Sequence, residues 1–415
     1  MASIFRTLEY RNFRLFFFGQ GISLIGTWIQ RIALPWLIYH KTGSTLLLGL
    51  VAFSGLIPSF ILSPIAGVVV DRWDRYRIVM TTQVLSLIQA LMLALCCLEG
   101  NVSTGMILFL NVFLGIINAF EMPARQAFLT ELIDDKNDYC SALSVNSTIV
   151  NAARLAGPAL AAIIISRSGE MLCFLVNAVS YLAVIVSLTM MKIIPVSKRV
   201  VSDKFLYELK EGFIYACRLN PIRDVLLLYG LVCISGWPCT VLMPAIAKDL
   251  LHGGAGTFSM LMTASGAGAL IGALLMGSRI KISGMDTVIA YATALLGIGI
   301  IALSVSRNLF VSMAFCAFMG ACMMMLMTST VTFIQTIIED GKQGRIMGLY
   351  TMVFTGSAPT GSYLAGELSS RLGTQHTLVV GGLVCVIGSL IFIVRACGLK
   401  ISPQDKYSYQ VKTDW

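Results

Sequence analysis

Charge is what this chain most lacks. Of its 415 residues 12% are Asp, Glu, Lys or Arg while 57% are hydrophobic, and mean hydropathy is +0.82. A soluble globule of that length needs more polar side chains to coat its surface, so a soluble fold is excluded and an all-α polytopic membrane protein is expected. Acid is scarcer than base, 21 residues against 30. The net charge of +9 is scattered along the chain and gathers on no single polar face, which argues against a nucleic-acid partner. Histidine is nearly absent: His40, His252 and His376 stand far apart, and the eleven cysteines include no C-x-x-C pair. No metal or cofactor is expected, and the cysteines, most of them in apolar runs, read as small core fillers. Nucleotide-binding and hydrolytic motifs are missing too. The nearest approach to a phosphate-binding loop, DGKQGR at 340–345, has Gln343 where serine or threonine is required, and neither H-E-x-x-H nor G-x-S-x-G occurs. An ATP-driven engine and a membrane hydrolase are therefore not expected, and the chain is not read as an enzyme.

What is present is a series of long apolar runs. A helix needs about 20 mostly apolar residues to cross a bilayer, and twelve such runs occur, near 12–39, 45–70, 77–98, 102–121, 144–166, 170–191, 224–247, 257–277, 286–305, 309–335, 346–369 and 375–396. The basic stretch MASIFRTLEYRNFR precedes the first, which contains Gln20 and Gln30 and no small-residue cleavage site, so this span is expected to be retained. Connections as short as GST (43–45) and SRSGE (166–170) make consecutive spans antiparallel neighbours. With the N-terminus inside, the cytoplasmic segments hold 23 Lys and Arg, the outer loops hold five, and Arg31 and Arg154 lie within spans. That asymmetry predicts both termini in the cytoplasm.

The longest polar stretch, 192–223, separates six spans from six. The domains expected are thus a bundle at 1–191, a cytoplasmic linker at 192–223, a second bundle at 224–397 and a tail at 398–415. Within the linker Phe205, Leu209, Phe213 and Ala216 share one helical face, the pattern of a helix lying at the membrane interface. The halves repeat: 153–169 aligns with 358–373, setting Gly157 against Gly361, and 50–67 aligns with 260–277. Repeated halves are the mark of secondary transporters, whose substrate site lies near the midplane.

Polar residues inside the spans fall on stripes. In the first span Gln20, Ser23, Thr27 and Gln30 follow helical spacings, with Arg31 four after Thr27; the fifth repeats this with Ser144, Ser147, Asn151 and Arg154. The fourth spaces Asn111, Asn118 and Arg125 seven apart, with Glu121 between the last two. A charge near mid-bilayer costs at least about 2.5 kcal/mol, so Arg154, near the centre of its span, is expected to meet water, a carboxylate or an anionic ligand. Arg31 lies farther out, where snorkelling beside Trp36 is an equal alternative. Glu121 and Glu367 are the candidate proton-coupling carboxylates, with an intrahelical pair to Arg125 the leading alternative for Glu121. The methionine run CMMMLMT (322–328) suits an adaptable cavity or a flexible core.

The segment GVVVDRWDRYR (67–77) resembles the signature loop of the major facilitator superfamily. Gly67, Asp71, Arg72 and Arg75 match it, whereas Asp74 and Tyr76 depart from it. The resemblance implies two pseudo-symmetric six-helix bundles and a cytoplasmic latch of Gly67, Asp71, Arg72 and Arg75, with Arg345 at the start of span eleven; Gly67 would permit close helix approach. NAFEMPARQAFLTEL (118–132) and NSTIVNAARLAGPALA (146–161) are similar to the bacterial branch containing enterobactin exporters and macrolide efflux proteins. In that fold spans one, four and five face one another, which would make Gln20, Thr27, Gln30, Arg31, Asn118, Asn151 and Arg154 a substrate surface. The function so implied is export of a small organic molecule, siderophore-like or otherwise anionic or amphipathic, by alternating access with proton antiport, from a monomer in the bacterial inner membrane. Multidrug or macrolide efflux, import of an organic anion and a non-transporting receptor of the same fold are the alternatives.

Overall fold

The computed structural model describes residues 7–98, 103–133, 138–192, 220–279, 284–338 and 343–398. Among these, every long element is a helix. In chain order they are α1 (Arg11–Thr42), α2 (Thr45–Arg72), α3 (Arg75–Leu98), α4 (Thr104–Glu131), then a continuous stretch Tyr139–Thr189, α7 (Asn220–Ser235), α8 (Ala255–Gly277), α9 (Met285–Val305), α10 (Leu309–Ile337), α11 (Gln343–Leu372) and α12 (Thr374–Gly398). The stretch Tyr139–Thr189 breaks at Gly169, whose φ of 77° and ψ of 179° no helix contains, giving α5 (139–168) and α6 (170–189). Ten stretches are long and apolar enough to cross a membrane. Dividing one of them at Gly169 and adding α11, whose Thr, Ser and Gly dilute its apolarity, reaches the twelve that the sequence predicts.

Two boundaries differ from expectation for visible reasons. α4 runs ten residues past the predicted end at 121, straight through Pro123, with Glu121 and Arg125 paired one turn apart across the proline. Span seven is not one helix. Gly236, Pro238 and Pro244 interrupt it, and it continues from α7 as a 3-10 turn (Trp237–Cys239), a short turn (Met243–Ala245) and a π-helical turn (Ile246–Leu250). The linker helix predicted from Phe205, Leu209, Phe213 and Ala216, and the tail beyond 398, lie outside the described residues.

By packing the chain divides into two compact units, 1–202 with 241–263, and 203–240 with 264–415. This grouping departs from the predicted division between bundles by placing 241–263, the end of span seven and the start of α8, with the first unit. In that unit Tyr39 of α1 packs with Leu48 of α2 and Ala245, and Trp36 stacks on Phe258 with ring centroids 6.2 Å apart.

Small residues set the helix contacts in each unit. In the first, a Cβ at Gly19 would meet Ser187, one at Gly26 would meet Ser180, and Gln30 bonds Asn177, so α1 ascends as α6 descends. Gly21 lies against Ile149 and Trp28 against Gly157, so α1 and α5 run parallel. The turn at Gly169 therefore reverses the chain within a single residue. The repeat inferred from sequence has a packing counterpart: Gly157 seats α5 on Trp28 of α1, and Gly361 seats α11 on Ile234 of α7. Likewise Gly115 brings α4 against Gly55 of α2, and Gly320 brings α10 against Ser265 of α8. Close backbone approach at small residues is how helices associate where lipid supplies no hydrophobic drive.

A buried aromatic cluster closes the first unit at the start of α1. Phe16 meets Phe128 edge-on at 5.6 Å, and Phe13, Val79 and Leu188 complete the layer. In the second unit Ile222, Ile334 and Ile346 tie α7, α10 and α11 together.

Candidate functional site

The polar stripe of α1 divides once folded. Gln30 is 3% exposed and sits inside the first unit, where Asn177 Nδ2 donates to its Oε1 at 2.8 Å and its own Nε2 donates to Gln89 Oε1 at 3.1 Å. Gln89 Nε2 continues to the Leu110 carbonyl at 3.3 Å, and Ser180 Oγ donates to the Asn177 carbonyl at 2.7 Å. The Tyr181 hydroxyl lies among Thr27, Asn177 and Ser86. This chain of amides and hydroxyls joins α1, α3, α4 and α6 and satisfies groups that would otherwise be stranded in the bundle. Gln30 is thus enclosed by its own bundle and not presented on an open face. Thr27 Oγ1 turns back to the Ser23 carbonyl at 2.9 Å, and Gln20 is buried with its Oε1 unpartnered among the described residues.

Arg31 takes the other direction. Its guanidinium carbon stands 5.0 Å from the centroid of the Trp28 ring, one turn back on the same helix. The Arg154 guanidinium, from α5, approaches the same ring at 5.5 Å. Both helices are held close here because Gly157 leaves room for the base of Trp28, 2.3 Å from where a Cβ would stand. Among the described residues neither guanidinium has a hydrogen bond or a carboxylate partner; the indole face is what each one has. Arg125, Glu121 and Tyr181 lie within electrostatic reach of Arg31. Glu121 is already engaged, 3.3 Å from Arg125 on α4. The arrangement presents two unneutralised, planar, fork-shaped donors around an aromatic plate, a geometry suited to carboxylates or other planar anions.

Of the remaining residues predicted for this surface, Asn118 is half-buried on α4, and Asn151 spends its amide on the Ser147 carbonyl at 2.9 Å. Asn111, in register with Asn118, turns away to the Val51 carbonyl and the Ser54 hydroxyl and fastens α4 to α2. Glu367 is half-buried and paired with Arg371 one turn on.

The turn after α2 is built from the signature-loop residues. Arg75 Nη1 donates to Glu131 Oε1 at 2.7 Å, linking the start of α3 to the end of α4, and Arg75 Nη2 lies 3.9 Å from Asp71 Oδ1. Asp74 accepts from the Tyr76 amide at 3.0 Å and pairs with Arg77 at 3.5 Å, so the residue that replaces the motif's glycine caps the next helix. Gly67 corrects an expectation: a Cβ there would meet nothing within 4 Å, so no close helix approach depends on it in this conformation. The Arg345 side chain is not among those described.

Four residues escaped the sequence reading. Trp28 was readable from its place three residues before Arg31, and Gln89 with Asn177 from amides standing within apolar spans. Asp224, buried at the start of α7 and paired with Arg223 (3.3 Å) and Arg395 (3.4 Å), was hidden because it sits where a span begins.

Repeated six-helix halves with uncompensated arginine inside a span define a membrane transporter of the major facilitator type. The chain belongs to the transmembrane secretion effector family, whose model matches residues 2–410. It is 26% identical over 401 residues to the staphyloferrin A transporter of Staphylococcus aureus, covering 94% of this chain and 98% of that one. To macrolide efflux protein A of Streptococcus pyogenes it is 23% identical over 404 residues, covering 94% and 100%. Among solved structures, a bacterial homologue of the iron transporter ferroportin superposes with a TM-score of 0.72 at 16% identity, over 92% of this chain and 98% of that one. The nucleoside transporter NupG gives 0.71 at 12% identity, over 94% and 99%. At such identities these structures speak to the fold alone.

Proposed function

We propose that this protein exports a small organic anion, siderophore-like in carrying carboxylate or similarly planar acidic groups, across the bacterial inner membrane. Transport proceeds by alternating access with proton antiport, and both termini face the cytoplasm. The observation that carries the reading is the pair Arg31 and Arg154 sharing the Trp28 indole with, among the described residues, no carboxylate at ion-pair distance from either. A cation held in a span without a partner costs several times thermal energy, and an anionic cargo supplies the partner only while it is bound. The siderophore transporter among the relatives supports the same cargo class. The 67–77 turn, with Asp71, Arg72, Arg75 and Arg345, is the proposed cytoplasmic latch. Glu121 and Glu367 are the proposed proton carriers, each now matched with an arginine one turn away that would hold or release it.

The second reading is efflux of lipophilic drugs. It draws on the macrolide and multidrug pumps among the relatives and on the half-buried methionines Met323, Met324, Met325 and Met327 of α10.

Everted vesicles with an imposed pH gradient separate the readings. Efflux of a carboxylate siderophore, driven by the gradient and lost in Arg154→Ala at normal membrane levels, supports the first. Movement of macrolides alone supports the second. Equal movement with and without the gradient eliminates proton antiport.

A further inference from the structure

We infer that the Trp28 clamp takes a ligand bearing two carboxylate groups on one short skeleton, one for each guanidinium, and discriminates against monoanions and cations. This rests on the reading above that the clamp faces the cargo, and it names the cargo's charge.

Three arginines and one glutamate meet here, and Glu121 is matched with Arg125 at 3.3 Å. Among the described residues Arg31 and Arg154 have no carboxylate at ion-pair distance, and Glu121, the acid within electrostatic reach of Arg31, is already paired with Arg125. A monoanion would satisfy one guanidinium and leave the other unpaired within a span, while a cation would meet repulsion from both. A dianion balances the site. The donors are also of the right kind: guanidinium offers two parallel N–H groups that match the two oxygens of a carboxylate, which an ammonium cannot do.

Trp28 explains how the site stays ready when empty. Each guanidinium rests on the indole without being neutralised, and that cation–π contact is weaker than a bidentate, charge-assisted pair with carboxylate. An arriving dicarboxylate therefore draws both arginines off the ring, and the ring is left to cover the carbon skeleton between the two acid groups. The spacing is bounded: the two guanidinium carbons can be no farther apart than their distances to the ring centroid laid end to end, 5.0 Å and 5.5 Å. Gly157 fixes α5 on α1 at this level, so the arginines cannot drift apart with the helices.

The test is binding to the purified full-length protein in lipid nanodiscs at low ionic strength, by calorimetry, with glutarate, citrate, pentanoate, catechol and tetraphenylphosphonium as probes. Glutarate or citrate should bind at least about tenfold more tightly than pentanoate, the loss of one paired carboxylate. Arg31→Gln and Arg154→Gln should each bring the dicarboxylates down to the level of pentanoate. Arg154→Lys, which keeps the charge but not the fork, should recover only part of the preference, and its thermal melting serves as the folding control. Equal affinity for mono- and dicarboxylates, a preference that survives both Gln variants, tighter binding of the cation, or no dicarboxylate binding up to about 10 mM would each overturn the inference. Export is scored separately in everted vesicles. Export of monoanions with no dicarboxylate preference sinks this inference and leaves the exporter standing, whereas dicarboxylate binding without export of any candidate sinks the exporter alone.

Discussion

Gly157→Ala is the sharpest perturbation the packing offers. The new methyl carbon would lie 2.3 Å from Trp28 Cβ and 3.3 Å from its Cα and carbonyl carbon. Carbon atoms rest comfortably at about 3.5–4.0 Å, so α5 and α1 must separate by roughly 1.2–1.7 Å at this level. The obstacle is the root of a side chain fixed to a helix backbone and cannot swing aside. Overpacking of this kind costs about 1–3 kcal/mol, and withdrawing α5 takes Arg154 off the indole, about 0.5–2 kcal/mol more. The expected result is a lowered melting temperature, followed with a thiol-reactive dye that reports exposure of buried cysteines such as Cys173 and Cys385, together with loss of cargo flux. A double-mutant cycle isolates the cause: in a Trp28→Gly background, where the obstructing Cβ is gone, Gly157→Ala should cost little stability while flux remains absent. Wild-type melting and wild-type flux in the Gly157→Ala single variant would refute the argument that this glycine seats the clamp.

Replacing Asn177 with Leu removes the donor to Gln30 and the side-chain oxygen 3.2 Å from Ser180 Oγ, while the backbone carbonyl that Ser180 also uses remains, and should destabilise by about 1–3 kcal/mol in denaturant unfolding without changing the order of cargo preference. Gly169→Ala adds a Cβ that meets no neighbour within 4 Å, so its whole cost is the backbone conformation, φ 77° with ψ 179°, about 1–3 kcal/mol by the same measurement. Gly67→Ala should melt with the wild type, since open space receives the methyl group. Arg75→Gln and Glu131→Gln, tested singly and together, should show a coupling of about 1–2 kcal/mol, as expected of a charge-assisted bond at 2.7 Å between side chains 16% and 25% exposed.

Much of the fold was legible because bilayer thickness imposes its own count. The twelve apolar runs all fall on helical segments among the described residues, span seven in pieces, and even the one-residue reversal at Gly169 was foreshadowed by SRSGE. What escaped was local. Gly236, Pro238 and Pro244 spread over nine residues did not look like a break, since apolar residues lie between them, yet together they unwind span seven into three short turns. The candidate site was half legible. Spacing placed Arg31 and Arg154 on polar stripes, but periodicity cannot tell which edge of a stripe a neighbouring helix will cover. Gln30 lies one residue from Arg31 and so 100° around the helix; α6 covers the first with Asn177 and leaves the second exposed. Asn111 and Asn118, seven residues apart, share one face of α4, yet α2 rather than a cargo surface claims the Asn111 amide. Gly67 shows the reverse failure, a motif residue around which a Cβ would meet nothing within 4 Å, so the close approach expected of it is not made in this conformation.

The reversal at Gly169 leaves α5 and α6 with no slack. A single residue spans about 3.8 Å between successive Cα atoms, so one helix cannot slide along the other by more than a fraction of a turn without unwinding an end. Arg154 on the first arm and Asn177 on the second are thereby yoked: under the proposed alternating access, any axial stroke of the guanidinium would be felt by the amide chain through Gln30 and Gln89. An insertion of a few flexible residues after Gly169 would uncouple the arms, and its damage would fall on the stroke before it fell on the fold.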